Sequence, residues 1–263
     1  MLEERREKFQ YLKAILTAGQ PYTNINRERL GKGMVFTGDD LQEMMQQAGM
    51  EASGFPGAGL SFIRRKDQDG YIYFIANLQG HTVDQWVPLA KNISSAVLYD
   101  PYTGETGKGT VRLMDEKNNH GQTKLYVQLR PGRSLIIKAY SHKEVNSPSW
   151  HYMEPAGLPE ALKGNWRVSF EKGIPLISKR YRMDKLKSWT TLSDSAKVFA
   201  GSAEYTLTFD LPSESADDWL LSLGGVDFSA EVSINGQSAG NLWAVPFTVR
   251  IGKYLKPGKN TLK

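Results

Sequence analysis

The chain has no cysteine, which excludes disulfides and thiolate metal sites and fits either the cytoplasm or a bacterial envelope protein without bridges. It has no apolar run near the roughly 18–20 residues of a membrane span. Its opening decapeptide, MLEERREKFQ, is charged and lacks the apolar stretch of a signal peptide. There are four histidines, His81, His120, His142 and His151, and their spacing matches no HExxH or other metal-ligand pattern. No G-x-S-x-G elbow occurs, and Gly31-Lys32-Gly33 lacks the spacing of a phosphate-binding or dinucleotide fingerprint. Internal repeats and low-complexity tracts are also missing.

Charge of one sign is scarce as well: 33 basic against 28 acidic residues leave a net +5 spread along the chain. Arg64-Arg65-Lys66 and Lys179-Arg180-Tyr181-Arg182 are the only dense clusters. They read as solvated strand edges or loops, so no nucleic-acid partner is indicated. A basic surface would at most attract an anionic polysaccharide. What is present is ample core material, 40% hydrophobic and 11% aromatic residues, which excludes disorder. A length of 263 residues leaves room for two domains.

Three parts follow along the chain. In residues 1–59, Phe9, Leu12, Ile15 and Leu16 share one helical face, and Gly19-Gln20-Pro21 would stop that helix. Met34, Val35 and Phe36 form a short apolar strand. Asp40 is positioned to cap a second helix, with Glu43 at the capping-box position and Gly49 as its stop. A strand and two helices cannot close a core alone, so this part is either the end of a preceding α/β domain or a small helical lid. Residues 60–141 carry seven strand-like segments, LSFIRRK, YIYFIANL, TVDQWVPL, SAVLYD, GTVRLMD, TKLYVQL and SLIIKAY, separated by turn residues. Such spacing predicts a small antiparallel β-sandwich. Residues 142–163, with Pro148, Pro155, Gly157 and Pro159, read as a linker, and a second sandwich starts near Trp166.

The last hundred residues are the most telling. Val232 and Ile234 alternate with polar neighbours, and Asn235-Gly236 is a strong hairpin signal because both turn positions need positive φ. Phe247, Val249 and Ile251 alternate again, and Lys256-Pro257-Gly258-Lys259-Asn260 reads as a further turn. Only Thr261, Leu262 and Lys263 follow, short of a typical strand, so a sandwich left incomplete and a chain cut from something longer are expected.

The wording of this region resembles the family-2-type sugar-binding domain of glycoside hydrolases. The matching words are GNWRVSF at 164–170, DKLKSWTTLSD at 184–194, FAGSAEYTLTFDLP at 199–212 and SAEVSINGQSAGNLWAVPFTVRIGKYLKPGKN at 229–260. Upstream, GKGMVFTGDDLQEMMQQAG at 31–49, GYIYFIANLQG at 70–80 and AVLYDPYTGETGK at 96–108 resemble the segments that follow the catalytic barrel in glycoside hydrolases of the family 106 type, α-L-rhamnosidases in the characterised cases. The resemblance implies a mainly β chain of two antiparallel β-sandwich domains, at 60–141 and 164–263, preceded by a short α/β remnant. It makes the second domain a galactose-binding-like jelly roll, and it gives the parent enzyme a catalytic domain as a partner of this region. It also implies a periplasmic or secreted parent whose signal would lie upstream. Nothing in the chain matches the family's catalytic barrel.

The chemistry legible in the residues agrees with an accessory region. Glycoside hydrolysis normally needs two carboxylates about 5–9.5 Å apart across a sugar. The adjacent pairs Asp39-Asp40, Asp115-Glu116 and Asp217-Asp218 read as caps and turn residues, and nothing brings Asp100, Glu105 and Glu231 together. No catalytic residue and no cofactor are assigned. The loop Asp115-Glu116-Lys117-Asn118-Asn119 is acidic enough to consider calcium but lacks the oxygen spacing of an EF-hand. Carbohydrate contact through aromatics remains, because an exposed ring stacks on the apolar face of a pyranose. Trp166 and Trp219 sit in strand wording and read as core. Trp243, after Gly240-Asn241 and before Ala244-Val245-Pro246, is the better ligand or interface candidate, with Asn241 beside it. Trp189 is a weaker one because Leu186 and Leu192 suggest a packed segment. An accessory module that binds sugar, a purely structural or protein-interaction module and a small intact glycosidase stay open on the sequence.

Overall fold

The structure, a computed structural model, describes residues 2–17, 25–113, 122–211 and 216–263. The chain divides into two compact units, 1–151 and 152–263.

The first unit opens with helix α1 (Leu2–Thr17). Of its predicted apolar face, Leu12 is half-buried while Phe9 is 63% exposed. The Ile15 and Leu16 side chains and the expected Gly19-Gln20-Pro21 stop lie outside the described residues. Where one strand was expected there is a hairpin, β1 (Asn26–Leu30) and β2 (Gly33–Thr37), turned at Gly31 with φ 61°. Its first strand, NRERL, is too polar to signal itself. Helix α2 (Leu41–Gln47) begins as read, with the Asp40 carboxylate accepting from Glu43 N at 3.0 Å, and Gly49 behind it adopts φ 66°. Glu43 does not complete a capping box; its carboxylate takes the Gln47 amide at 3.2 Å.

A β-sandwich follows. One sheet runs β3 (Leu60–Asp67), β4 (Gly70–Asn77), β10 (Ser134–Tyr140), β6 (Ser95–Tyr99), β7 (Thr106–Gly109); the other runs β5 (Val83–Pro88), β9 (Thr123–Leu129), β8 (Val111–Leu113). All ladders between these strands are antiparallel. In β9 the alternation is complete, with Thr123, Leu125, Val127 and Leu129 buried and Lys124, Tyr126 and Gln128 turned outward. Facing rows close on Tyr73, Ile75, Val87, Leu98, Leu125 and Ile137, all buried. Each apolar side chain withdrawn from water in this way contributes about 1.5–3 kcal/mol. The GTVRLMD segment differs from expectation: it breaks at Thr110, so that β7 lies in one sheet and β8 in the other, the corner by which a strand changes layers.

Buried polar groups are tied into the first sandwich. Asn77, with no exposed surface, donates to the carbonyls of His81 at 2.9 Å and Leu129 at 2.8 Å and accepts from Gln79 N at 2.9 Å. This single side chain pins the β4–β5 connection to the end of β9. The early part of the expected linker also packs on this unit. Lys108 N donates to Pro148 O at 2.7 Å and Trp150 N to Lys108 O at 2.9 Å, and the Trp150 ring packs against the core. Gly107 permits the approach, since a Cβ there would lie 2.7 Å from Trp150 Cα.

The second unit contains a six-stranded sheet in the order β12 (Tyr181–Met183), β11 (Trp166–Ile174), β13 (Ala200–Asp210), β18 (Lys259–Leu262), β15 (Ala230–Ile234), β16 (Gln237–Leu242). A pair, β14 (Leu220–Ser222) with β17 (Thr248–Arg250), forms its smaller sheet, and a single-turn helix α3 (Asp194–Lys197) precedes β13. Trp166, Val168, Leu207, Val232, Ile234 and Leu242 are buried, so Trp166 is a core residue. Trp219 is only half-buried, immediately before β14.

The last residues, expected to be too short for a strand, do pair. Residues 259–262 form β18, which pairs with β13 over four positions and meets β15 at Ile234↔Leu262. The segment is extended from Lys259 because Asn260 turns inward. Its amide donates to Lys256 O and Gly258 O, each at 2.9 Å, and its carbonyl accepts from Lys256 N at 2.9 Å and Asn235 Nδ2 at 2.8 Å. Asn235 and Gly236, at φ 53° and 83°, make the tight hairpin turn their dipeptide predicts, and Asn235 also accepts from Thr261 N at 3.0 Å. One turn therefore locks the sheet's central strand.

Candidate functional site

The structure ties four of the candidate carboxylates into the architecture. Asp40 caps α2, and the Asp100 carboxylate accepts from the backbone of Tyr102 at 2.8 Å and Thr103 at 3.2 Å. Glu105 lies 2.7 Å from His151 Nδ1. Asp218 accepts from Arg250 Nε at 2.6 Å, Trp219 N at 2.7 Å and Gly252 N at 3.0 Å. Burial pushes the Asp218 carboxyl up, but the Arg250 hydrogen bond, the two backbone donors and the Arg250 charge outweigh it and hold the group below its ordinary range. Glu231 stands on β15 opposite Asn241 of β16, apart from any second acid in the register. Asp115-Glu116, His120 and the acidic loop considered for calcium lie outside the described residues. Among the described residues no three His, Cys, Asp or Glu side chains converge as a metal site.

Of the aromatic candidates, Trp189 packs. Its ring meets Phe170 at 6.1 Å and Phe199 at 5.9 Å, both edge-on, within a cluster completed by Ile177 and Ala196. Edge-to-face contacts of this kind contribute about 0.5–1.5 kcal/mol beyond burial. The ring is therefore engaged on the inside of the unit. The Leu192 beside it belongs to the same cluster, whereas Leu186 is 53% exposed.

Trp243 is placed differently. On β16, Leu242 is buried, so Asn241 and Trp243 project to the opposite side; both are exposed, Trp243 by 64%. The loop that carries Trp243, residues 243–247, lies beside loop 223–229. The pairing dictates this: Ala230↔Leu242 and Ser222↔Thr248 bring the ends of both loops together, and Leu223 N donates to Phe247 O at 2.9 Å. The two loops present Phe228, Trp243 and Val245 with 87, 64 and 65% of their surfaces exposed. Asn241 and Glu231, directly paired, add an amide and a carboxylate beside them. Exposed rings and apolar groups rimmed by hydrogen-bonding side chains suit the two-faced surface of a pyranose or the surface of an adjoining domain. Sequence reasoning found Trp243 and Asn241 but missed Phe228 and Val245, because neither lies in a periodic segment and only the strand register joins their loops.

No family model matches the chain. Over 109 residues, 40% of the chain and 9% of the relative, it is 37% identical to a Formosa agariphila protein that carries a β-glucuronidase name. Over 105 residues, 40% of the chain and 22% of the relative, it is 30% identical to hydroxymethylglutaryl-CoA synthase A of Dictyostelium discoideum. Its fold matches the solved rhamnosidase of Novosphingobium sp. PP1Y with a TM-score of 0.72 and 23% identity, over 97% of this chain and 24% of that one. The chain thus spans less than a quarter of the length of each of these three proteins. Two of the three carry glycosidase names, and the likeness to the rhamnosidase is one of fold.

Proposed function

We propose that this chain is the accessory, non-catalytic β-sandwich region of an α-L-rhamnosidase-like glycoside hydrolase that acts on complex polysaccharide outside the cytoplasm. In this reading the first sandwich follows the catalytic barrel, and the second unit is a family-2-type, galactose-binding-like jelly roll. The observation that carries the proposal is the fold likeness over 97% of this chain to 24% of a rhamnosidase, which leaves the greater part of that enzyme outside the match. The carboxylates support it too: Asp40, Asp100 and Asp218 are committed to backbone and guanidinium donors rather than held apart around a sugar-sized gap.

Within that role, the Phe228–Trp243–Val245 end serves as the contact surface of the second unit for carbohydrate. The same exposed apolar groups favour a second reading, in which this end docks on the catalytic domain of the parent enzyme. Two measurements test the proposal. Purified chain should release no chromophore from aryl α-L-rhamnoside or aryl β-glucuronide, and turnover that vanishes when a carboxylate of this chain is replaced would overturn the non-catalytic assignment. Titration with rhamnose-containing oligosaccharide should perturb the Trp243 indole signal. Binding unaffected by Trp243→Ala would remove that end as the sugar surface.

A further inference from the structure

The outer face of the three-stranded sheet in the first sandwich carries a second constellation. Its register sets Trp86 opposite Tyr126, Asp84 opposite Gln128 and Arg112 opposite Lys124. The Trp86 and Tyr126 rings stand 5.3 Å apart, tilted by 57°. The Tyr126 hydroxyl donates to Asp84 Oδ1, and Gln128 Nε2 donates to Asp84 Oδ2 at 3.1 Å, so the carboxylate is held in place at the end of the ring pair. The Arg112 guanidinium crosses to 5.7 Å from the Trp86 ring centre.

Two features of this face set it apart, and the first is unfavourable for a sheet that has only to meet water. Like charges directly opposite one another on neighbouring strands destabilise a sheet, yet Arg112 and Lys124 occupy such a pair. Among the described residues neither forms an ion pair with a carboxylate. The outward row also places two half-buried aromatic rings beside these cations. The two features answer to one ligand chemistry. A sugar ring has an apolar face for the aromatic pair and hydroxyls for Asp84 and Gln128, and a carboxylate on that ring would neutralise the cations. An extended polyanion without hydroxyl donors would meet Asp84 as a repelling charge, which favours a sugar acid over a nucleic acid or an acidic peptide.

We infer that this face binds a uronic-acid residue of a polysaccharide, its pyranose on Trp86 and Tyr126 and its carboxylate between Arg112 and Lys124. The inference rests on the carbohydrate role proposed above but places a second, chemically distinct site in the other unit. It is tested on the full chain by amide and indole NMR titration with methyl β-D-glucuronide and methyl β-D-glucoside, at matched ionic strength, since the two differ only in carboxylate against hydroxymethyl. The expected result is shifts confined to β5, β8 and β9 with the glucuronide, at least tenfold weaker binding of the glucoside, and weakening of glucuronide binding with added salt. Trp86→Ala, and separately the pair Arg112→Ala with Lys124→Ala, should each reduce glucuronide affinity at least tenfold while amide signals elsewhere keep their positions. The double change touches no ring and guards against a folding defect in the first variant. Equal affinity for both glycosides, or glucuronide binding that survives the loss of both cations, overturns the inference. Shifts at the Trp243 end alone overturn it and leave the carbohydrate role standing; no perturbation of either face by any sugar removes both.

Discussion

Replacing Asn260 by alanine should cost the second unit about 3–5 kcal/mol, far more than its four-residue strand would suggest. The side chain has no exposed surface and makes four hydrogen bonds between 2.8 and 2.9 Å, two as donor to the carbonyls of Lys256 and Gly258 and two as acceptor from Lys256 N and Asn235 Nδ2. A hydrogen bond contributes about 0.5–1.5 kcal/mol net, and a buried group stripped of its partner costs about 1–3 kcal/mol. Truncation strips several at once, and some recover a partner in water, which sets the range. Domains are stable by only about 5–15 kcal/mol, so the unit should approach its limit. Because a chain of two units need not unfold in one step, urea unfolding should be followed through resolved amide signals of residues 152–263. The midpoint should fall with an unchanged slope, since the buried surface is nearly the same. Asn260→Asp separates the two halves of the network. It keeps the accepting oxygens and turns a carboxylate toward two carbonyls, so its defect should shrink at low pH, where the protonated carboxyl again donates. A loss under about 1 kcal/mol for the alanine, with the signals of β18 in place, would refute the idea that this side chain fixes the central strand.

Trp166→Ala should cost about 3–5 kcal/mol as a core truncation, whereas Trp243→Ala should stay within about 0.5 kcal/mol of the parent by thermal unfolding, because its ring is 64% exposed. Equal losses would make Trp243 a packing residue. Trp189→Ala should lower stability by about 2–3 kcal/mol through the Phe170–Phe199 cluster and leave sugar titrations unchanged, which unfolding and NMR can check together. The depressed Asp218 carboxyl contributes stability that is present above the unfolded carboxylate range, about pH 4, and is lost as pH falls through its lower folded value. Asp218→Asn should therefore lower stability at pH 7 and flatten its decline as pH falls below the ordinary carboxylate range, and parallel curves for both proteins would contradict this. Gly107→Ala should release residues 148–150 from the edge of β7, seen as fast exchange of the Trp150 amide, since the added methyl would sit 2.7 Å from the Trp150 backbone.

The strands were legible where one face is buried and the other wet. TKLYVQL alternates without a fault and became β9 end to end, and Asn235-Gly236 fixed both turn torsions because few other residues tolerate positive φ. The failures have particular causes. GTVRLMD reads as one strand because the break at Thr110 is a change of sheet, which leaves no mark in hydrophobic pattern. NRERL does not read as a strand because its partner in a two-stranded hairpin demands no buried face. The strand at 259–262 was not legible because length alone was weighed. Four residues suffice when ladders on both sides and a buried asparagine hold them, and the contribution of Asn260 comes from groups up to 25 positions away.

Candidate sites follow the same division between what alternation reveals and what only register can assemble. Trp243 was recognisable because glycine, asparagine and proline surround it and no apolar period claims it. Trp189 looked similar but sits where the chain folds back onto β11, and the contacts with Phe170 and Phe199 arise from segments 19 and 10 positions away. The Trp86 face was present in the sequence as two words, VDQWVP and the alternating TKLYVQL, each unremarkable by itself. Once β5 and β8 are laid against β9 the outward side chains become a single row, with a fixed acid at one end, two rings in the middle and two cations at the other. The ring pair stabilises the sheet by itself, but the like-charge pair beside it does not, so the ligand chemistry that satisfies all these groups is the one to test first.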